Sequence, residues 1–456
     1  MQSRSPQQPS DVVAEFGECG PSEVEAATAE ARAAQAEWAA QPPAVRSAAL
    51  DGAASAVAGA ADELTDLVVR EVGKPRSEAA GEVARTVAIL RYYAQQVYDP
   101  LGAVYAPSSG AGLSYTRRRP RGVVGLVTPW NFPLAIPVWK AAPALAFGNG
   151  VLLKPAPQAT GCAQRVCALL ALHLPDGLLH VLPGDANAGV AVVGAADVVS
   201  FTGSAAVGEQ VAATVVGGGR PVQCEMGGQN PAVVLPDADL SAAAGQIAGA
   251  AFGFAGQKCT ATKRVVVVGD VAAFTEALLA ATEKLVVGDP ADATTIVGPV
   301  IEEPARSYVL AAADSARAAG ARIVTGGTGS DGPGWFLAPT VVDRLPDGHD
   351  LLREEVFGPI CAVVAAESVE QAVSIANDVR YGLVASVHTR DLDQALRVAD
   401  TLMAGQIKVN APTTGVDFYL PFGGERASSI GPREQGKAAQ DFYTSLHTVA
   451  LNPSGR

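Results

Sequence analysis

A thiol and a carboxylate stand in two glycine-rich stretches of this chain. Cys259 lies in Gly256-Gln257-Lys258-Cys259-Thr260-Ala261-Thr262-Lys263-Arg264, and Glu225 lies in Val222-Gln223-Cys224-Glu225-Met226-Gly227-Gly228-Gln229-Asn230-Pro231. Glycines let backbone or ligand approach closely, so the pair reads as a nucleophile with its base. A thiol attacks well at neutral pH only with a lowered pKa or a neighbouring base. Lys258 beside Cys259 would favour the thiolate, whereas the C-terminal end of a preceding helix would oppose it. Cys19, Cys162, Cys167, Cys224 and Cys361 read as small buried hydrophobes. Cys259 differs because its neighbours are Gly, Gln, Lys and Thr rather than an apolar run.

Three strand ends add polar groups. Thr128-Pro129-Trp130-Asn131-Phe132-Pro133 ends an apolar run, and α/β proteins bind ligands at such carboxyl edges. The Asn131 amide there could donate to a developing oxyanion, or simply form a turn before Phe-Pro. Phe201-Thr202-Gly203-Ser204 stands where a strand meets a helix. Its N–H groups and the Ser204 hydroxyl suit a pyrophosphate, the ordinary alternative being an N-cap serine. Lys154-Pro155-Ala156-Pro157 is a third such end, with a lysine in reach of a ribose or phosphate.

Positioning these groups needs a large scaffold. With 456 residues, 48% of them hydrophobic, the chain can bury an ample core and should divide into two or three domains. Residues 1–20 read as an irregular arm. The Ala-rich text from Pro21 to about Tyr98 reads as successive helices, with Ser22 and Glu25 as a capping box and breaks near Gln41-Pro42-Pro43, Gly59 and Gly73-Lys74-Pro75.

From Gly122 onward, short apolar runs alternate with helical stretches. Strands are expected over 122–128, 150–154, 178–182, 198–202 and 221–225, with helices over 135–147, 159–172, 188–193 and 205–216. That is the pattern of a parallel, doubly wound sheet. A second series follows Gly228: strands at 232–235, 264–268, 322–325, 341–342, 359–364, 384–389 and 406–410, and helices at 242–254, 271–285, 369–377 and 392–402.

A net charge of −13 argues against nucleic-acid binding, and the Arg117-Arg118-Arg119 run lacks interleaved aromatics. Six cysteines with no CxxC pair and five scattered histidines predict no disulfide framework and no metal, and suit a reducing compartment. Neither a leader nor a membrane span of about 20 apolar residues is legible, so a cytoplasmic location is expected.

Seven strings in order, TPWNFP, KPA, FTGS, EMGGQNP, GQKCTATKR, EEVFGP and PFGG, resemble the aldehyde dehydrogenase superfamily from about Ser22 to Asn452. The resemblance implies an α/β fold with a Rossmann-type cofactor domain (1–98 and 121–227), a second α/β catalytic domain (228–435) and a β oligomerisation arm (99–120 and 436–456). It implies NAD(P)-dependent oxidation of an aldehyde to an acid in a homodimer or homotetramer. Cys259 matches the nucleophile, Asn131 the oxyanion donor, and Glu225 the base that activates water, linked to Lys140 and Glu434 by a proton relay. Cofactor contacts fall on Thr128, Pro129, Trp130, Lys154, Ala156, Pro157, Phe201, Thr202, Gly203, Ser204, Val207, Met226, Gly227, Glu355 and Phe357.

Departures from the family pattern are informative. NAD-using members often carry a glutamate where Pro157 stands; proline neither bonds the ribose hydroxyls nor repels a 2′-phosphate, so NADP is admitted and even favoured. The tail Gly415-Val416-Asp417-Phe418 through Gly436, together with AIPVWK and VQCEMGG, is similar to the α-ketoglutaric semialdehyde dehydrogenase branch. Lys258 could meet a substrate carboxylate or phosphonate, or be a surface lysine, while Phe132, Phe254, Thr260, Phe418 and Trp139 could line the substrate tunnel. An acidic ω-aldehyde is therefore expected, the alternatives being succinic semialdehyde, a phosphonate-bearing or an aromatic aldehyde. An acylating dehydrogenase is disfavoured by Glu225, and a silent binding protein by the presence of Cys259, Glu225 and Asn131.

Overall fold

The computed structural model describes residues 1–108 and 112–452. The chain opens on a hairpin, β1 (Gln2–Arg4) with β2 (Val12–Glu15), where the sequence suggests only an irregular arm. Main-chain pairing supplies what side-chain patterning does not: Phe16 N–H donates to Met1 O at 3.1 Å, and Ser3 is buried with its hydroxyl on Glu71 at 2.6 Å. Four helices follow: α1 (Pro21–Ala40), α2 (Pro43–Gly59), α3 (Ala61–Val72) and α4 (Arg76–Gln96). Proline at the first position starts α1 and α2 without losing a helical donor. The expected Ser22/Glu25 cap is corrected by two positions: the helix starts at Pro21, and the Glu23 carboxylate accepts from Gly20 N–H at 3.0 Å.

Strands β3 (Val104–Tyr105) and β4 (Leu113–Pro120) belong to a separate sheet completed by β18 (Thr444–Leu451), which pairs antiparallel with β4 along its whole length. Parts of the expected arm, residues 109–111 and 453–456, lie outside the described residues.

The first large sheet uses β5 (Val123–Val127), β6 (Gly150–Lys154), β7 (Leu179–Val181), β8 (Val198–Thr202) and β9 (Val222–Glu225), joined by α5 (Ala135–Ala146), α6 (Thr160–Ala171), α7 (Ala186–Ala195) and α8 (Ala205–Gly217). The five strands run parallel in the spatial order β9-β8-β5-β6-β7. The connection therefore reverses between β5 and β8, and ligand crevices of open α/β sheets form at that switch point, beyond the carboxyl ends.

The second large sheet contains β10 (Asn230–Val234), β11 (Thr262–Val268), β12 (Arg322–Thr325), β13 (Thr340–Asp343), β14 (Ile360–Ala366), β15 (Val384–His388) and β16 (Gln406–Val409). Its order is β12-β13-β14-β11-β10-β15-β16, with only β12 antiparallel. Helices α9 (Leu240–Phe252), α10 (Val271–Thr282), α11 (Glu303–Ala318), α12 (Val369–Asn377) and α13 (Leu392–Thr401) cover it. Asp239, Asp270, Ser368 and Asp391 cap four of these through their side chains. No element is expected from the sequence at α11, whose alanines and charges bury only Val309, Ala313 and Ala316. Near the end, β17 (Ser429–Ile430) crosses back to pair antiparallel with β9, and α14 (Ala438–Tyr443) leads into β18.

Candidate active site

Helix α9 ends at Phe252, and Phe254 (φ 54°), Ala255 (φ 52°) and Gly256 (φ 66°) then take left-handed backbone in succession. The expected helix through Phe254 is thus two residues too long. Each non-glycine residue in that region costs about 1–2 kcal/mol, so the turn persists only because neighbours hold it. Phe254 N–H donates to Ile296 O at 3.1 Å. Gln257 donates to Pro299 O (3.1 Å) and accepts from Ile301 N–H (2.8 Å). Asn230 donates to Cys259 O (2.7 Å) and Ala261 O (2.9 Å). The buried Lys263 ammonium donates to Gly256 O (2.9 Å) and Gly358 O (3.0 Å), tying this loop to the one that carries Glu355 and Phe357.

The loop delivers Cys259 into a pocket of about 230 Å³. Its walls are Pro129, Trp130 and Asn131 after β5, Ile136 of α5, Thr202 at the end of β8 with Gly203 and Ser204 beyond it, Met226 and Gly227 after β9, and Glu355 with Phe357. The carboxyl edge of the first sheet therefore meets the amino edge of the second, where Cys259 precedes β11. Asn131 holds its amide in place by donating to Gln257 O at 3.0 Å, two residues from the thiol. Trp130 packs edge-on against Phe357 (5.7 Å between centroids) and Phe254 (6.4 Å).

The Cys259 thiol is pushed up to about 12, first by burial, then by the negative charge of Glu355 and Glu225. Lys258 does not offset this. Its ammonium is 2.8 Å from the Glu78 carboxylate on α4, and it does not line the pocket. An acidic neighbour distant in sequence thus holds the Lys258 charge, where the sequence suggests the thiolate or a substrate carboxylate.

Glu225, at the carboxyl end of β9, is buried. One oxygen accepts from Ser429 Oγ at 2.5 Å, and the other is buried with no partner among the described residues. Burial, then repulsion from Glu434, raises its pKa well above the ordinary carboxylate value. It acts on Cys259 through space without lining the pocket. Helix α5 is buried on every face, so its Lys140 must be matched; it pairs with Glu434 and donates to Ser200 Oγ at 2.7 Å. Gly423 passes close to the carboxylate: a Cβ there would lie 2.8 Å from both Glu225 Oε1 and the Arg433 side chain.

The chain matches the family model for the aldehyde dehydrogenase family over residues 1–449. It belongs to that family. An α-ketoglutarate semialdehyde dehydrogenase of Haloferax volcanii is 42% identical over 98% of this chain and 94% of its own length. An α-ketoglutaric semialdehyde dehydrogenase of Bacillus subtilis is 39% identical over 86% and 82%. Among solved structures, an NAD-dependent aldehyde dehydrogenase of Sinorhizobium meliloti superposes with a TM-score of 0.97 at 31% identity, covering 100% of this chain and 92% of that one. A betaine aldehyde dehydrogenase of Staphylococcus aureus in complex with NAD+ gives 0.96 at 28%, with the same coverage.

In this aldehyde dehydrogenase, nine of the expected cofactor contacts line the Cys259 pocket: Pro129, Trp130, Thr202, Gly203, Ser204, Met226, Gly227, Glu355 and Phe357. Thr128 and Phe201 are buried behind it. Lys154 ends the neighbouring strand β6, Ala156 and Pro157 follow it, and Val207 is exposed on α8. Of the expected substrate contacts, Phe132 and Phe254 flank the buried Lys74 ammonium (3.8 and 4.8 Å to the ring centres), Thr260 is buried, and Phe418 packs on Tyr92 at 5.7 Å. Ser200, Asn230, Gln257, Lys263 and Ser429 were not singled out by sequence. Each acts through backbone or side-chain bonds to chain-distant partners, which leave no local signature.

Proposed function

We propose that this aldehyde dehydrogenase oxidises an acidic ω-aldehyde, α-ketoglutaric semialdehyde or a close analogue, to the carboxylic acid with NAD(P). The observation that carries the chemistry is the shared pocket of Cys259, Asn131, Glu355 and Phe357. The substrate class rests on the two α-ketoglutaric semialdehyde dehydrogenase relatives at 39–42% identity.

The residues present suit a pyridine dinucleotide. Ser204 heads α8 without spending its hydroxyl on a cap, and Thr202 Oγ1 is buried with no partner among the described residues. A Cβ on Gly227 would come within 1.8 Å of a Glu355 oxygen, so only glycine leaves that floor open. Lys154 and Ser204 would hold the adenosine and phosphate parts, and Glu355 and Phe357 the nicotinamide end. When bound, the nicotinamide supplies the hydride acceptor.

Cys259 Sγ, its proton first lost to solvent, attacks the aldehyde carbon as the thiolate, and the Asn131 amide and Cys259 N–H donate to the alkoxide that forms. Departure of hydride leaves a thioester. Glu225 removes a proton from the water that cleaves it, releasing the acid and expelling Cys259 as the thiolate. The Lys140–Glu434 pair stands behind Glu225 to carry that proton away. Asn131 fixed on Gln257 O and the buried relay both support these roles. An aldehyde panel run with NAD and with NADP, followed by absorbance of the reduced coenzyme, tests the reading; turnover no faster on acidic than on neutral aldehydes would overturn its substrate class.

Two variants refine it. Pro157→Glu places a carboxylate at the start of the turn after β6, where it can accept from ribose hydroxyls and repel a 2′-phosphate. The NAD/NADP ratio of kcat/KM should rise about tenfold or more, the value of one charge-assisted hydrogen bond; an unchanged ratio would remove Pro157 from coenzyme choice. Lys258→Met strands Glu78, so a drop in Tm is expected with equal, small effects on acidic and neutral aldehydes. Adding Glu78→Gln should recover the lost stability, and failure to do so would mean that the ion pair is not what Lys258 contributes.

The chain is further proposed to divide into a cofactor-binding unit (1–98 and 121–227), a catalytic unit (228–435) and an arm (99–120 and 436–456) that joins copies into a homodimer or homotetramer. Exposed apolar side chains on the three-stranded sheet, Val104, Tyr105, Leu446 and Leu451, support an oligomer contact there.

A further inference from the structure

A cation on α4 is without a partner among the described residues. Arg85 on α4 is half-buried, yet it makes no hydrogen bond or ion pair with any described residue. Its nitrogens are not sealed within the protein either, so the guanidinium keeps some exposure. An arginine desolvated this far ordinarily finds a carboxylate or carbonyl, because five donors left unpaired are costly.

Its position on the helix says what that space is. Glu78, Glu82, Arg85, Ile89 and Tyr92 recur at three- and four-residue spacing and share one face of α4. Glu78 binds Lys258, the residue before the nucleophile. Glu82 accepts from Leu134 and Ala135 N–H at the start of α5, just beyond Asn131 and Phe132, and pairs with Lys74. Tyr92 packs edge-on against Phe418. Arg85 thus stands midway along a face that runs from the Cys259 loop to the 416–418 loop. Within that loop, Val416 packs on the same Leu383/Val384/Phe422 cluster as Cys259.

The cofactor-side pocket reaches Cys259 from the ends of β5, β8 and β9, whereas α4 meets the Cys259 loop from another side, through Glu78 and Lys258. Glu82 and Asp417 favour the Arg85 charge through space, but neither makes a direct bond to it. Glu82 is committed to Lys74 and two backbone donors, Lys408 donates to Thr414 O, and Asp417 is exposed on the loop, outside ion-pair distance.

We infer that Arg85 is the specificity-determining residue of the reaction, receiving the carboxylate at the far end of an acidic aldehyde while Cys259 takes the aldehyde end. The inference rests on the acidic-aldehyde reading above and supplies the contact that Lys258, held by Glu78, does not. A planar guanidinium can bind a carboxylate through two parallel hydrogen bonds, which fixes the tail's direction as well as its charge.

The test compares α-ketoglutaric semialdehyde with a neutral aldehyde of equal length on the wild type, Arg85→Met and Arg85→Lys. In Arg85→Met the ratio of kcat/KM, acidic over neutral, should fall on the order of 10–100-fold, carried by KM rather than kcat. Arg85→Lys, which keeps charge but loses the fork, should fall in between. Competitive inhibition by glutarate, an unreactive dicarboxylate, should weaken in parallel. A wild type that does not prefer the acidic aldehyde overturns the substrate reading itself. A wild type that does, with the preference intact in both variants, overturns the Arg85 assignment alone, as does an equal loss on both aldehydes or one confined to kcat. Coenzyme binding measured by fluorescence checks that each variant is folded; should Arg85→Met fail this check, Arg85→Gln replaces it.

Discussion

Cys259→Ala is expected to lower aldehyde oxidation on the order of 10⁴-fold or more, since no other group in the pocket can form the covalent intermediate. Folding and coenzyme binding should survive. The thiol makes no hydrogen bond that the fold depends on; Asn230 grips the Cys259 carbonyl, which alanine keeps. The side chain is only partly buried, and its loss removes a single sulfur. Equilibrium binding of NAD or NADP by protein fluorescence, beside steady-state turnover, separates the two claims, and near-normal turnover in the variant would end the covalent mechanism. Alkylation adds a second view. With the thiol held up to about 12 by burial and by Glu355 and Glu225, iodoacetamide should react slowly with the free enzyme at neutral pH and faster as pH rises. Rapid modification at neutral pH would contradict the acidic surroundings described for Cys259.

The readability of this chain followed the range of its interactions. Strands such as Val123–Val127 and Val198–Thr202 were legible because a strand covered on both faces is written as an apolar run. The motif residues at their ends were legible too, since ligand-facing backbone imposes glycine, proline and asparagine locally. What the text hid was pairing across the fold. Lys258 looks available beside Cys259, but its partner Glu78 lies 180 positions away. Arg85 sits in an ordinary helical pattern, and only the neighbours of α4 reveal that it bonds no described residue. The hairpin of β1 and β2 and the helix α11 escaped for a related reason: neither has a strong apolar period, and each is fixed by what it packs against. Ser429, which bonds Glu225, lies in the tail that resembles one branch of the family; its contact with β9 arises from the cross-over of β17.

Glu225→Gln should separate the two halves of the reaction. The amide keeps the shape and can still bond Ser429, so aldehyde attack and the first hydride transfer should proceed. Hydrolysis of the thioester loses its base, and general-base catalysis contributes on the order of 10²–10⁴-fold. Stopped-flow traces should therefore show a burst of reduced coenzyme of one equivalent per site, then a steady state slower by about that factor. An unchanged steady-state rate would remove Glu225 from the role; loss of the burst itself would move it to the thiol's deprotonation. Stability supplies an independent reading. Burial and Glu434 raise the folded-state pKa of Glu225 above its unfolded value, so across that interval the native state binds more protons. Its contribution is fully present below the unfolded pKa and lost as pH rises through the folded one. Replacement by a neutral amide removes that loss, so the Tm of Glu225→Gln should decline less than the wild type's between mildly acidic and alkaline pH. Parallel Tm–pH curves for the two proteins would mean that Glu225 is already ionised across the range, with the Lys140 charge outweighing its burial.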